Sequence, residues 1–129
     1  MIKIDTDGHI FLIKRKDIEE GIRLLRKRSG IPVLSNGIYR LYDKEGVLLY
    51  IGRGSKVLNR VLHHMRGKSA NTRNFFREIE SVEIHLLPLY SKGETEDLEQ
   101  YLIKVLNPKY NELKWSDYYI FNAIKGFEI

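Results

Sequence analysis

The sequence predicts an α/β (α+β) fold in which a small three-stranded, mainly antiparallel sheet is flanked by helices. The main observation is the segment Gly37–Gly52, GIYRLYDKEGVLLYIG, where two apolar stretches surround the polar turn Asp43–Gly46, as is typical of a β-hairpin. The segment Val82–Leu89 alternates well enough to predict a third strand that ends near Pro88. Apolar residues at helical spacing precede and follow that strand.

The chain before the hairpin is predicted to form a short second hairpin followed by a helix. Residues 2–4 and 10–13 are apolar stretches around a polar turn. Asp17 and Glu20 have the spacing of a capping box, and Gly30 is typical of a helix end. The apolar face of this helix is expected to consist of Ile18, Ile22 and Leu25.

A helix is also expected directly after the central hairpin. Ser55 is a suitable N-cap, and the helix should run to about Arg66. Its other flank is expected to carry Lys56, Arg60 and His64. Its buried stripe is expected to contain Val57, Leu58, Val61, Leu62 and Met65.

Two further helices are predicted, one on each side of the third strand. Asn71 or Thr72 opens the first, to which Phe75, Phe76 and Ile79 contribute core side chains. Ser91 and Glu94 form a capping box at the start of the second, with Glu99 at the border of its apolar face. That face is expected to contain Leu98, Tyr101, Leu102, Val105 and Leu106.

Composition limits the class of protein. A chain of 129 residues with 43% hydrophobic and 30% charged residues fits one compact domain. The absence of cysteine excludes disulfides and thiolate zinc sites, so any metal must have oxygen or imidazole ligands, which favours hard cations. No apolar run reaches the ~20 residues of a membrane helix, and the N-terminal residues lack a signal-peptide cleavage site. We therefore expect a cytoplasmic protein.

Positive charge is concentrated in one segment. The net charge of the chain is +5 and its pI is about 9.4. Residues 78–129 nevertheless contain ten acidic and five basic residues, so the excess of positive charge lies before them. Residues 53–77 contain no acid and form what we call the basic stripe: Arg53, Lys56, Arg60, Arg66, Lys68, Arg73 and Arg77. A solvated helix face usually mixes both signs, so the basic stripe favours contact with nucleic acid.

Several separated residues follow a recognisable order. Gly37-Ile38-Tyr39 and Tyr50-Ile51-Gly52 are followed by Arg60, His64, Glu99 and Asn111. This order resembles the GIY-YIG nuclease superfamily, which includes the catalytic domain of UvrC, homing endonucleases and some restriction enzymes. The resemblance divides the chain into residues 1–34, a basic extension, residues 35–114, the GIY-YIG domain, and residues 115–129, an aromatic tail packed on the domain or on a second subunit. Arg53 replaces a lysine that many members carry, which changes the donor geometry.

The resemblance implies a phosphodiesterase that acts on DNA, with a set of catalytic residues. Tyr39 is implied as the general base, with His64 either accepting its proton or acting as the base itself. Tyr50 would orient water or phosphate, and Arg60 would bind the scissile phosphate through parallel hydrogen bonds. Asn111 either fixes the shape of the site through backbone hydrogen bonds or only forms a turn after Asn107-Pro108.

Glu99 is implied as the metal ligand because it precedes Asn111 by the spacing that the superfamily shows. It would hold one Mg²⁺ (or Mn²⁺) ion, with Glu96, one turn earlier, as the alternative ligand. The DNA-binding residues are expected to be the remaining members of the basic stripe: Arg53, Lys56, Arg66, Lys68, Arg73 and Arg77.

The sequence therefore predicts a metal-dependent DNA endonuclease that uses a single divalent cation. Two alternatives remain, namely a DNA-binding module without cleavage and a protein-interaction protein on the same fold. A non-cleaving module would need the basic stripe but not Glu99. An enzyme of this size that cuts both strands would need two active sites, so a homodimer is possible.

Overall fold

A computed structural model describes residues 2–4 and 9–111. The predicted turn at 5–8 and the predicted aromatic tail at 115–129 lie outside the described residues. In chain order the elements are β1 (Lys3–Ile4), β2 (Ile10–Lys14), α1 (Arg15–Glu19), α2 (Ile22–Ser29), β3 (Gly37–Tyr42), β4 (Leu48–Gly54), α3 (Val57–Met65), a 3-10 helix (Phe76–Glu78), β5 (Ser81–Leu86) and α4 (Lys92–Leu106).

The sheet has five strands in the order β1-β2-β5-β3-β4, and every pairing is antiparallel. The prediction of three strands was therefore wrong, although the central hairpin and the third strand are present. The difference arises because β2 pairs with β5 along its whole length, from Ile10 opposite His85 to Lys14 opposite Ser81. The N-terminal hairpin thus extends the sheet and does not stand apart from it.

The two faces of the sheet are covered by different helices. Ile38 and Ile51 pack with Ile103 of α4. Tyr39 and Leu41, which alternate with Ile38 along β3, belong to the larger cluster that contains the buried residues of α3. All five residues predicted for the stripe of α3 are buried. β4 is an edge strand of the sheet, and the amides of Lys109 and Tyr110 donate to its carbonyls at Leu48 and Leu49.

The predicted N-terminal helix is divided into two. Gly21, with φ +112°, separates α1 from α2, and Gly30 ends α2 in the left-handed conformation as predicted. Asp17 is not the N-cap. It lies in the first turn of α1, where its Oδ2 accepts a hydrogen bond from the Lys14 amide. The capping interaction therefore begins one turn earlier than the prediction placed it.

One side chain of α1 ties the N-terminal elements to the rest of the fold. Arg15 Nε donates to the Ile79 carbonyl at 2.6 Å, Nη2 to the Phe76 carbonyl at 2.5 Å, and Nη1 to the Met65 carbonyl at 3.3 Å. Three carbonyls from separate turns are thereby satisfied by one planar group. The N-terminal helices are consequently fixed relative to α3.

Three helix predictions need correction. α3 begins after Lys56, not after Ser55. The helix predicted from residue 71 is a series of turns that ends in the 3-10 helix. α4 has the predicted Ser91–Glu94 capping box, but Tyr101 and Val105 are 61% and 59% exposed. α4 covers the edge of the sheet, so only a narrow stripe of it is buried, consisting of Thr95, Glu99 and Ile103.

The helices in the described part of the chain are too short or too polar to span a lipid bilayer.

Candidate active site

The two motif tyrosines lie side by side on one face of the central hairpin. Tyr39 pairs with Gly52 and Tyr50 with Leu41, so the tyrosines are diagonal neighbours. Their ring centroids are 6.4 Å apart. Strand pairing therefore brings the tyrosines together, as the sequence predicted.

Gly52 provides the space that the Tyr39 hydroxyl occupies. A Cβ atom built on Gly52 would lie 2.2 Å from Tyr39 Oη, which is far inside van der Waals contact. The strand conformation at Gly52 does not itself require glycine, since its φ is not positive. The close approach of the phenol explains why glycine ends the second tripeptide.

Gly52→Ala is therefore expected to displace the Tyr39 ring and to destabilise the domain. Overpacking of a dense core typically costs about 1–3 kcal/mol. Thermal unfolding of the variant measures this loss, and Gly46→Ala is the comparison, because Gly46 has open space around its Cβ and only a strained φ of +83°. Equal unfolding free energies for Gly52→Ala and wild type would contradict the close approach.

His64 does not lie on the solvent flank of α3, as the sequence predicted, but is completely buried. Its Nε2 lies 2.5 Å from Tyr39 Oη, and its Nδ1 lies 2.8 Å from Thr72 Oγ1. Thr72 is also fully buried, and no role in the site was predicted for it. A chain of three polar side chains therefore runs from the hairpin through α3 to the turns that follow α3.

Burial keeps both members of the Tyr39–His64 pair neutral. It lowers the pKa of His64 to about 3, and the nearby Arg60 charge acts in the same direction. Burial also raises the pKa of Tyr39 far above its usual value; Tyr50 adds to this shift, while the Arg60 guanidinium opposes it. The Arg60 guanidinium can only donate, so the Tyr39 oxygen accepts a hydrogen bond from it. We therefore assign the Tyr39 proton to the hydrogen bond with His64 Nε2, and the proton of the His64 ring to Nδ1.

An open cavity of about 680 Å³ lies beside the C-terminal end of β4, where Gly52, Arg53 and Gly54 line it. Both motif tyrosines, Arg60 and Glu99 line it. Among the described residues that line the cavity, Glu99 is the one carboxylate, whereas the cations are Arg53, Lys56, Arg60 and Lys92. The cavity thus combines positive charge, phenol groups and a single anionic ligand.

Glu99 reaches this cavity from α4 and is only 8% exposed. Its Oε1 accepts a hydrogen bond from Gln100 Nε2 at 2.9 Å and lies 3.3 Å from Arg53 Nε. Arg53 Nε is not aligned for a hydrogen bond in this ion pair, and Arg53 Nη2 lies 3.5 Å from Glu96 Oε2. The Glu99 charge also contributes to the raised pKa of Tyr50, for which burial is the main cause.

Asn111 fixes the edge strand through two backbone hydrogen bonds. Its Nδ2 donates to the Ile51 carbonyl at 2.9 Å, and its Oδ1 accepts from the Ile51 amide at 2.7 Å. The side chain thereby takes the place of a neighbouring strand beside Ile51. Asn111 was expected either to fix the site through backbone hydrogen bonds or only to form a turn. The observed geometry is that of the backbone hydrogen bonds.

Comparison with known proteins identifies the family. The family model of the UvrC-like GIY-YIG domain matches residues 35–112, which is more than half of the chain. The chain belongs to the GIY-YIG superfamily. The predicted membership and the predicted enzyme class, a nuclease, are both confirmed.

The similar curated proteins carry the name UvrABC system protein C. The chain is 40% identical to the UvrABC system protein C of Hahella chejuensis over 83 residues, which cover 63% of this chain and 13% of that protein. It is 38% identical to the corresponding protein of Ruegeria pomeroyi over 96 residues, or 72% and 14%. The chain thus matches only about one eighth of the length of these curated relatives.

Solved structures of the GIY-YIG family agree with the fold. The N-terminal endonuclease domain of UvrC from Thermotoga maritima, bound to magnesium as its catalytic divalent cation, matches with a TM-score of 0.55 and 26% identity. A point mutant of the same domain, bound to its catalytic divalent cation, matches with a TM-score of 0.56 and 25% identity. Both comparisons cover 78% of this chain and all of the other chain.

The Glu99 environment fits one hard cation with few protein ligands. The hydrogen bond from Gln100 and the ion pair with Arg53 both fall on Glu99 Oε1, and neither uses Oε2. In the described part of the chain there is no cluster of three or more histidines and carboxylates that could hold an ion. Mg²⁺ suits such a site, because it retains several waters and is often held by only one or two carboxylates.

The predicted DNA-binding residues of this GIY-YIG chain fall into two groups. Arg53 and Lys56 line the cavity. Arg66, Lys68, Arg73 and Arg77 are exposed but do not line it. Lys92 lines the cavity although sequence analysis did not select it, because it lies at the start of α4, outside the basic stripe.

Proposed function

We propose that the chain is a DNA endonuclease that hydrolyses phosphodiester bonds with a single divalent cation, Mg²⁺ (or Mn²⁺), held by Glu99. The observation that carries this proposal is one cavity in which Tyr39, Tyr50, Arg60 and Glu99 converge in a chain of the GIY-YIG family. The solved relatives bind a catalytic divalent cation, which supports the same requirement here.

The basic side chains would position the substrate. The Arg60 guanidinium can donate two parallel hydrogen bonds to the scissile phosphate and compensate the charge that grows on it in the transition state. Lys56 and Lys92, which line the same cavity, would hold the neighbouring phosphates. A cation bound at Glu99 supplies Lewis-acid polarisation of the phosphate and of the attacking water.

Arg53 compensates the charge of Glu99 in the free protein. Its guanidinium lies near both Glu99 and Glu96, at 3.3 and 3.5 Å. Because Nε is poorly aligned, this contact is a weak electrostatic one that a phosphate or a cation can replace. Arg53 would then turn toward the substrate backbone, as proposed for the basic stripe.

Proton transfer would use Tyr39 and His64 as a relay. A free phenolate is strongly disfavoured at Tyr39, because burial raises the pKa of this phenol. A neutral His64 with its Nε2 2.5 Å from the phenol oxygen can take the Tyr39 proton while that oxygen takes a proton from water. The phenol therefore stays neutral in the net transfer, and His64 carries the proton only transiently, because burial lowers its pKa to about 3.

The cellular role that we propose is based on the names of the similar proteins. Their name places them in the UvrABC system, and this similarity favours DNA repair over restriction. The same proposal makes residues 35–114 the nuclease domain and residues 1–34 an added basic extension. A homodimer remains the simplest way for such a chain to cut both strands.

The direct test incubates the protein with plasmid, branched and single-stranded DNA in Mg²⁺ or EDTA and maps the cut ends. Cleavage that requires Mg²⁺ and leaves defined ends is the expected result. Binding without cleavage on all three substrates would instead favour the non-cleaving DNA-binding module. Neither binding nor cleavage, together with a stable protein complex, would favour the interaction protein.

Alanine substitution of Lys68, Arg73 and Arg77 is expected to weaken DNA binding and to flatten its dependence on salt. All three side chains are exposed beyond the cavity, where they can contact only flanking phosphates. Each lost phosphate contact removes about 0.9 units from the slope of log K against log salt. Titrations at several salt concentrations measure the slope, with Lys44→Ala in the β3–β4 turn as the control. An unchanged slope in the triple variant would show that this part of the basic stripe faces away from DNA.

A further inference from the structure

The helix α2 lies beside the cavity although it precedes the residues matched by the family model. Leu25 of α2 is 1% exposed and belongs to the same core cluster as the buried residues of α3. Arg26 Nη2 donates to Asn59 Oδ1 at 2.7 Å, and Asn59 lines the cavity next to Arg60. Packing and this hydrogen bond therefore fix α2 against the first turn of α3.

The charge of α2 has one sign. Its eight residues include four cations, Arg23, Arg26, Lys27 and Arg28, and no acid. Glu20 pairs with Arg28, and Asn59 binds Arg26. Arg23 and Lys27 are exposed one helical turn apart, so they form a two-charge face directed to solvent.

Helix stability does not explain this face. Cations in the last turn, such as Lys27, interact favourably with the helix dipole. Arg23 lies in the first turn, at the positive end of the dipole, where a cation is unfavourable. Like charges at positions i and i+4 also destabilise a helix. Arg23 and the like-charge pair that it forms with Lys27 thus carry a structural cost that a polyanionic partner would offset.

We propose that Arg23 and Lys27 bind the phosphate backbone of the DNA that leaves the cavity, so that α2 lengthens the DNA footprint beyond the GIY-YIG domain. This inference rests on the proposed function, because it requires DNA to lie in the cavity. The Arg26–Asn59 hydrogen bond and the burial of Leu25 hold α2 against the domain, so its charges are positioned before DNA arrives. A phosphate contact of this kind carries no sequence preference.

The test compares wild type with the Arg23→Ala/Lys27→Ala double variant on two duplexes, of about one and about three helical turns. On the long duplex in EDTA the salt slope should fall by about two units, whereas on the short duplex the change should be smaller. In Mg²⁺ the double variant should raise KM on the long duplex and leave kcat unchanged. The melting temperature should not fall, because both side chains are exposed.

A control variant with the same change of net charge, Lys3→Ala/Lys44→Ala, separates local contact from overall charge. Lys3 lies on β1, the sheet edge opposite β4, and Lys44 lies in the turn at the far end of the central hairpin. Equal slopes for both double variants, or a slope like wild type after Arg23→Ala/Lys27→Ala, would overturn the inference. A wild-type protein that neither binds nor cuts DNA would instead overturn the proposed function.

Discussion

Glu99→Gln is expected to lower the rate of phosphodiester hydrolysis by at least about 10³-fold, while the affinity for DNA holds or rises. The substitution keeps the volume of the side chain and removes the charge that would hold the cation. Loss of the metal removes several kcal/mol of transition-state stabilisation, and each 1.4 kcal/mol is a factor of about ten in rate. DNA affinity should not fall, because an anionic group near the phosphates has gone.

The control for this variant is Glu96→Gln, one turn earlier on α4. Glu96 also lies near Arg53, at 3.5 Å, but it does not line the cavity. A nicking assay in Mg²⁺ measures cleavage, and a gel-shift titration in EDTA measures binding. Full activity of Glu99→Gln with loss in Glu96→Gln would move the metal site by one turn. Full activity of both variants would exclude the one-metal mechanism.

The parts of the fold that the sequence predicts are those that local pattern determines. The hairpin around Gly46 and the capping box of α4 depend on residues within a few positions of each other. The pairing of β2 with β5 joins residues about 70 positions apart, such as Ile13 and Val82, and no local signal encodes it. The strand count therefore had to come from the structure.

The sequence did not predict how deeply His64 and Glu99 are buried. The physical cause is the same for both: each is a polar residue on the buried stripe of a helix. His64 follows Val61 by three positions and Val57 by seven, so the helical period does place it on the buried side of α3. Glu99 lies midway between Thr95 and Ile103, on a stripe with one apolar member. A count of apolar residues therefore overlooks the burial of both side chains, although both were predicted as site residues. The short spacing from a buried neighbour was the signal that could have predicted their burial.

The basic stripe illustrates what charge alone can indicate. Its first members, Arg53, Lys56 and Arg60, line the cavity, whereas Lys92 joins them from a segment with an acidic excess. Positive charge in sequence therefore marks the region of the site but not its boundary. The boundary depends on where α3 and α4 approach the edge of β4.

Tyr39→Phe is expected to lower cleavage by about 10²- to 10⁴-fold, the usual contribution of a proton-transfer group. The ring stays in the core, so the hairpin should remain folded. Loss of the hydroxyl leaves His64 Nε2 buried without its hydrogen bond, which costs about 1–3 kcal/mol of stability. Rates are measured at saturating DNA, and circular dichroism confirms the fold. Tyr42→Phe is the matched control, because Tyr42 ends the same strand and does not line the cavity.

The pH dependence separates the relay from a simple phenolate base. Burial lowers the pKa of His64 to about 3, so His64 is neutral from about pH 5 upward and kcat should show no inflection near pH 6.5.

The free energy of unfolding should also depend on His64. Between about pH 6.5 and pH 3 the histidine is protonated in the unfolded chain but not in the folded one, so stability falls as the pH falls through that range. His64→Ala should lose most activity near neutral pH and less at alkaline pH, where hydroxide can replace the relay by taking the proton of the attacking water. Wild-type rates in Tyr39→Phe would exclude the phenol from proton transfer and leave His64 as the base.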